Sequence, residues 1–331
     1  MKKLLFALAA LGAMSCSQNE ITESFDEQNE IKFANVQMGN SIITKAEALT
    51  GNESFGVYAY YTTVENTTPV KYFENDQLLK SGDLWGLSGG KRYYPTVMNK
   101  MYFLGYGKVY DENKPTSIVT AENTVSLQYT NYSVEDQTSF SKYENFVITK
   151  EAVAAAKPEV GVGVGVALTF THALSKIQFK AQVLDEATHA KVDARITGIK
   201  ATANVNGNLN FTTEYLWTSS KSNEFTVGLV ESNPILTTTP APVSLKSLYV
   251  IPNQSVGVNV TADLFNAGSD IKVGTVTGSA TIDQTNFVIN NSVTVNIIIK
   301  RSSSADLTEI TFADPVIEDW KPVDADITPS K

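Results

Sequence analysis

Gly86-Leu87-Ser88-Gly89-Gly90 has the spelling of a nucleophile elbow, G-x-S-x-G. In that motif the serine sits on a strained turn between a strand and a helix. Here Lys91-Arg92-Tyr93-Tyr94-Pro95 follows, which does not start a helix, so the segment reads as a β-turn. A serine nucleophile also needs a base, and the only histidines are His172 and His189. They stand seventeen positions apart, which fits neither a triad nor a zinc site. His172 follows Phe170 on one strand face and reads as a buried, hydrogen-bonded histidine. Gly161, Gly163 and Gly165 have the spacing G-x-G-x-G, but Val166 stands where a dinucleotide loop needs its last glycine, and no helix follows. They read as a strand with small residues on one face. Asp111-Glu112-Asn113 reads as a solvated turn rather than a calcium loop. The expectation is a chain with no catalytic residue, no metal ligand and no cofactor, hence not an enzyme.

The remaining reactive group is Cys16, the one cysteine of the chain. It follows a basic start, Met1-Lys2-Lys3, and an apolar run from Leu4 to Met14. That run is too short to span a bilayer, which needs about 20 apolar residues, and it fits a secretory leader. Ala13-Met14-Ser15-Cys16 resembles a bacterial lipobox, with Ala13 in place of the usual leucine. The cysteine thiol would take a diacylglycerol, and its freed amino group a further acyl chain; two or more chains give stable anchoring where one does not. With Cys16 so used, no thiol is left for a disulfide, a metal site or catalysis. The cores alone must hold the fold.

Behind the anchor, Ser17 to Glu30 is polar and acidic and reads as a flexible tether. From Ile31 onward the dominant period is two. Phe55, Val57, Ala59 and Tyr61 alternate with Gly56, Tyr58 and Tyr60; Met101 and Phe103 alternate with Tyr102 and Leu104. Ile177, Phe179, Ala181 and Val183 alternate with Gln178, Lys180 and Gln182, and Val293, Val295, Ile297 and Ile299 with Thr294, Asn296 and Lys300. Asn75-Asp76, Ser88-Gly89-Gly90, Asp111-Glu112-Asn113, Asn206-Gly207-Asn208 and Asn290-Asn291 supply turn chemistry between such runs. Many short strands separated by turns point to β-sandwiches. The alanine-rich stretch from Lys150 to Lys157 is the best candidate for a turn or two of helix, ending at Pro158.

The 331 residues suggest two domains. The boundaries expected are a signal peptide at 1–15, the tether at 16–30, an N-terminal β-sandwich at 31–172 and a C-terminal β-sandwich at 173–331. Net charge is −9. Without Lys2 and Lys3, 24 basic groups face 35 acidic ones, giving −11. This argues against a nucleic-acid partner, which calls for a basic footprint. The tyrosines (Tyr58, Tyr60, Tyr61, Tyr93, Tyr94, Tyr102, Tyr106 and Tyr110) read chiefly as strand packing. Exposed aromatic faces would instead form a sugar-binding platform, so a surface glycan-binding lipoprotein is the alternative reading.

Several segments together resemble the fimbrillin family, the type V pilins and Mfa-like lipoproteins of Gram-negative anaerobes. The most specific is Val166-Ala167-Leu168-Thr169-Phe170-Thr171-His172-Ala173-Leu174-Ser175-Lys176-Ile177-Gln178-Phe179, which is similar to the family's domain junction. Ile31-Lys32-Phe33, Phe55-Gly56-Val57-Tyr58-Ala59, Tyr93-Tyr94-Pro95, Tyr249-Val250-Ile251-Pro252-Asn253-Gln254 and the stretch from Ile310 to Trp320 match other family segments in order. The resemblance implies an all-β fold of two tandem transthyretin-like β-sandwich domains. It implies a structural and adhesive subunit of a cell-surface fimbria, exported to the outer membrane as a lipoprotein. A processing protease would cut near the first strand, and a strand of another subunit would fill the opened groove by β-augmentation. Carried over residue by residue, Cys16 takes the lipid and Lys45 is the cleavage site, where many members carry arginine. Ile31, Phe33, Val36, Ile310, Phe312, Val316 and Trp320 take part in strand exchange. The partners implied are other fimbrial subunits in a homo- or hetero-polymer, the protease, the outer membrane through the lipid, and a host protein or glycan receptor.

Overall fold

A computed structural model describes residues 30–39, 47–48, 52–82, 84–149, 153–156, 165–211, 215–231, 234–301 and 308–320. In chain order the elements begin with β1 (Phe33–Met38), β2 (Glu47–Ala48), β3 (Ser54–Thr62), β4 (Val70–Ser81), β5 (Leu84–Leu87) and β6 (Lys100–Lys108). Next come a hairpin, β7 (Ser117–Ala121) and β8 (Thr124–Ser133), a short helix α1 (Phe140–Glu144), then β9 (Val147–Thr149), β10 (Val153–Ala156) and β11 (Val166–His172). The second half holds β12 (Ser175–Val183), a turn of helix α2 (Glu186–His189), β13 (Val192–Phe211), β14 (Tyr215–Thr226), β15 (Ala241–Pro242) and β16 (Leu248–Val250). It ends with β17 (Val256–Asn266), β18 (Lys272–Ile282), β19 (Asn291–Arg301), β20 (Thr308–Phe312) and β21 (Val316–Asp319). The fold is all-β, as the sequence pattern leads one to expect.

These strands form three sheets. The first runs β10-β6-β3-β4-β5-β1-β11-β9, with β2 on β1, and β9 also pairs with β6. The path therefore closes on itself around an apolar core that includes Phe33, Phe55, Phe103, Leu168 and Phe170. The other two sheets face each other. One carries β12 and β19 in parallel register, and the other carries β13, β17 and β18 with β14 alongside. The strict alternation of β12 is realised as expected: Ile177, Phe179, Ala181 and Val183 are buried, while Gln178, Lys180 and Gln182 are partly exposed.

In β3 and β6 the alternation has a different outcome: almost every residue is buried. Phe55, Val57 and Ala59 point into the first core. Tyr58 and Tyr60, with Tyr102, Leu104 and Tyr106, join a second, larger core shared with the other two sheets. A sheet covered on both faces selects apolar or aromatic residues at every position. The hairpin β7–β8, although it lies in the first half of the chain, pairs with β13 and so extends a sheet of the second half.

Three local expectations are corrected. Val153–Ala156 is a strand, not a helical turn, paired antiparallel with Phe103 to Lys100. The helix preference of alanine is only tenths of a kcal/mol per residue, and ladder hydrogen bonds on the edge of β6 outweigh it. Asn75 lies inside β4, at positive φ (54°), where the pairing with β3 slips between Val57 and Ala59. Asn206-Gly207-Asn208 likewise lies inside the long strand β13, at register shifts against β14. At Asn75, asparagine's tolerance of left-handed backbone serves a bulge instead of a turn. Asp111 and Asn290 (φ 69° and 67°) do sit in the expected turns.

Candidate assembly site

β1 is a stave of the closed first sheet. On one side it runs parallel to β11, with Phe33 opposite Val166, Val36 opposite Leu168 and Met38 opposite Phe170. On the other side Phe33 pairs with Trp85 of β5. Main-chain bonds continue past both ends of the strand. Ile31 N–H donates to Arg92 O and Val166 N–H to Lys32 O, each at 2.7 Å, and Gly39 N–H donates to Phe170 O at 2.7 Å. Ile31, Phe33, Val36 and Met38 are all buried. The Phe33 ring meets Phe103 edge-on at 5.6 Å, and Phe55 stacks on Phe170 at 4.3 Å. The tight packing explains one glycine: a Cβ on Gly105 would lie 2.7 Å from Phe170 Cζ. β2 pairs antiparallel with β1, with Met38 opposite Glu47. Cys16 and Lys45 lie outside the described residues.

The parallel partner of β1, β11, ends in His172, and there the C-terminal segment docks. β20 and β21 pair in succession with β19. Trp320 is buried; its N–H donates to Asn290 O at 2.7 Å, and its indole Nε1 donates to Glu144 Oε2 at 3.0 Å. The ring lies flat on His172 at 4.1 Å, with Lys176 Nζ 4.9 Å from its centroid on a cation–π contact. Glu144 is otherwise engaged by Tyr249 Oη at 2.6 Å and Lys176 Nζ at 3.8 Å. Of the remaining expected strand-exchange residues, Ile310 is buried, Phe312 is half-buried and Val316 is exposed.

His172 is buried as expected, but its ring is not hydrogen-bonded: neither Nδ1 nor Nε2 finds a partner. Its backbone N–H donates to Asn290 Oδ1 at 3.4 Å. Burial first, then the charges of Lys108 and Lys176, hold its pKa well below the usual imidazole value. Burial also pushes Lys176 down, opposed by Glu144. The sign for stability follows. Below pH ~6.5 the unfolded chain takes up a proton that native His172 refuses, so stability present above that pH is lost as pH falls. The slope is up to about 1.4 kcal/mol per pH unit. In urea titrations from pH 7 to pH 5, His172→Phe is therefore expected to lose less stability than the parent; equal losses would refute this assignment.

Ser88 sits on a turn whose N–H bonds back to Gln77 O, and a strand-to-helix elbow is absent there. Among the described residues no group of His, Cys, Asp and Glu could hold a metal, and no helix is long and apolar enough to cross a membrane. Tyr58, Tyr60, Tyr94, Tyr102 and Tyr106 are buried, so they do not form a sugar platform. The Ile251 to Gln254 segment is structural. Gln254 Nε2 donates to Asn204 O at 3.0 Å and its Oε1 accepts from Asn204 N–H, bracing the slipped region of β13.

The profile of the fimbrillin-like family matches residues 44–320. The chain belongs to the fimbrillin-like family. Fimbrium subunit Fim1C of Phocaeicola vulgatus is 30% identical over 138 residues, covering 38% of this chain and 35% of that protein. The chain thus spans about a third of that relative's length. Among solved structures, a fimbrial protein from Bacteroides vulgatus superposes with a TM-score of 0.57 at 16% identity, over 88% of this chain and 100% of the other. A candidate cell adhesion protein from Bacteroides uniformis does so with a TM-score of 0.50 at 13% identity, over 88% and 100%. At such identities these two share the fold with this fimbrillin-like chain.

Proposed function

We propose that this chain is a structural and adhesive subunit of a cell-surface fimbria, assembled by protease-triggered strand exchange. The observation that carries the reading is the position of β1, a buried first strand that closes a sheet and whose covalent link to the rest of the fold runs through residues 40–46. A cut after Lys45 would leave the segment from Glu30 to Gly39 held by main-chain bonds, the Glu30–Lys91 ion pair and the side chains of Ile31, Phe33, Val36 and Met38. Its departure would open a groove between β5 and β11 into which an extended strand of another subunit fits by β-augmentation. Keeping β1 in place until cleavage would hide edges that otherwise promote aggregation. Cys16 would carry lipid and hold the subunit at the outer membrane before assembly. The exposed side chain of Val316 makes Ile310 and Trp320 the stronger anchors of the C-terminal segment.

The test is limited digestion of the mature protein with a trypsin-like protease, followed by gels without boiling and N-terminal sequencing. The expected product begins at Ala46 and forms an SDS-resistant ladder, which Lys45→Gln abolishes. A cut chain that stays monomeric, or a ladder that persists in the variant, would sink the reading.

A further inference from the structure

The outward face of the β12–β19 sheet carries an unassigned cleft. Two adjoining cavities of about 540 and 390 Å³ share Gln178 and Lys180 in their walls. The larger one is bounded by α1 and by residues 242–249, where the chain bulges away between β15 and β16. The bulge is built into the fold: Val243 N–H donates to Phe179 O, Phe179 N–H donates to Ser244 Oγ, and Gln178 Nε2 donates to Ser247 Oγ at 3.2 Å.

The charge of this cleft opposes that of the chain. Net charge is −9, yet Lys108, Lys180 and Lys246 all line the larger cavity. Among the described residues none of these three has a carboxylate within ion-pair distance. Lys246 Nζ instead lies 3.9 Å over the Phe140 ring. A cation–π contact restrains an ammonium without neutralising it. The one carboxylate in that wall, Glu144, is already bonded by Tyr249 and Trp320 and lies close to Lys176. The site is therefore cationic at this end, and low-dielectric walls focus such a field.

The chemistry changes along the cleft. Parallel register sets Gln178 beside Thr294 and Lys180 beside Asn296. This is a ladder of amide and hydroxyl groups that both donate and accept, beside an apolar wall containing Pro242 and Leu245. The far end holds Glu318. A ligand that fits is elongated, acidic at one end and hydroxyl-rich along its length.

We propose that this cleft binds a uronate-bearing oligosaccharide, its carboxylate beside Lys246 and Lys108 and its neutral rings along the Gln178–Asn296 ladder. The site does not include β1 and does not rest on strand exchange, so the intact monomer is the right material. Binding is measured by calorimetry at about 0.15 M salt. One uronate probe is the disaccharide of glucuronate and N-acetylglucosamine, and the other is a xylotriose bearing a single glucuronate. The comparators are a neutral hexamer of N-acetylglucosamine and hexametaphosphate.

The expected result is that at least one uronate binds about tenfold or more tighter than both comparators. Preference for the first uronate points to animal matrix glycans as the source, and preference for the second to plant xylans. Lys246→Gln should weaken that binding about tenfold and flatten its salt dependence. Gln178→Ala should weaken it while leaving the salt dependence as it was. Lys246 is exposed and Gln178 partly exposed, and an unchanged melting temperature checks the fold. Binding of neither uronate, equal binding of hexametaphosphate, or full affinity in both variants would overturn the proposal.

Discussion

Trp320→Ala is expected to lower the unfolding free energy by about 3–5 kcal/mol, the range for truncating a large aromatic in a packed interior. The site gives reasons for the upper part of that range. Trp320 is only 1% exposed, and its ring covers His172 on one face and meets Lys176 in a cation–π contact. Truncation removes the indole donor to Glu144 Oε2 and leaves that carboxylate half-satisfied beside a buried lysine. It also frees β21, where Val316, Ile317 and Glu318 are exposed and add little burial. Trp320→Phe separates these contributions. It keeps most of the ring stacking and loses the indole hydrogen bond, for an expected cost of about 1–3 kcal/mol. Urea unfolding with an unchanged m-value is the measurement. A loss under about 1 kcal/mol for Trp320→Ala would mean that the C-terminal segment is not docked at the junction.

The same cluster shows where sequence reading stops. The alternation in β12 from Ile177 and in β19 from Val295 is legible because these stretches bury one face, so a period of two maps directly onto burial. In β3 and β6 the period is still present, but it divides two cores rather than core from solvent, and nothing in Phe55-Gly56-Val57-Tyr58-Ala59-Tyr60 distinguishes those cases. Asn75 and Asn206 read as turns because asparagine's tolerance of positive φ is a local property. Whether the chain then reverses or merely bulges depends on a partner strand distant in sequence. Val153–Ala156 fails for the opposite reason: its local preference is weak, and the edge of β6 decides. The stacking of His172 on Trp320 joins positions 148 residues apart. Its signal in the sequence is faint, an apolar-flanked histidine and a tryptophan near the chain's end, and neither specifies the other. The cationic cleft was equally hidden, since Lys108, Lys180 and Lys246 belong to three separate segments that only the fold assembles.

A chain beginning at Ala46 is expected to lose most of the stability of its first sheet and to regain it from a peptide spanning Glu30 to Gly39. Ile31, Phe33, Val36 and Met38 are each at most 6% exposed. At about 1.5–3 kcal/mol per buried side chain, their removal costs roughly 6–12 kcal/mol as an upper estimate. That is comparable to the whole stability of an ordinary domain, about 5–15 kcal/mol. Main-chain ladder bonds to β11 and β5 are lost as well, so the near-ultraviolet signal of Phe103, Trp85 and their neighbours should collapse first. The facing sheets built on β12, β13, β17 and β19 have their own core and should persist to higher denaturant. Adding the peptide should restore the signal at a stoichiometry of one, because its hydrogen-bonding pattern and its apolar residues match the vacated groove. A peptide carrying Phe33→Asp and Val36→Asp keeps the backbone donors but would bury two charges, so it should fail. If the shortened chain melts with the intact one, β1 is not a structural stave. If the charged peptide rescues as well as the native one, the groove selects main chain alone, and the identity of the donor strand must be set elsewhere in the subunit.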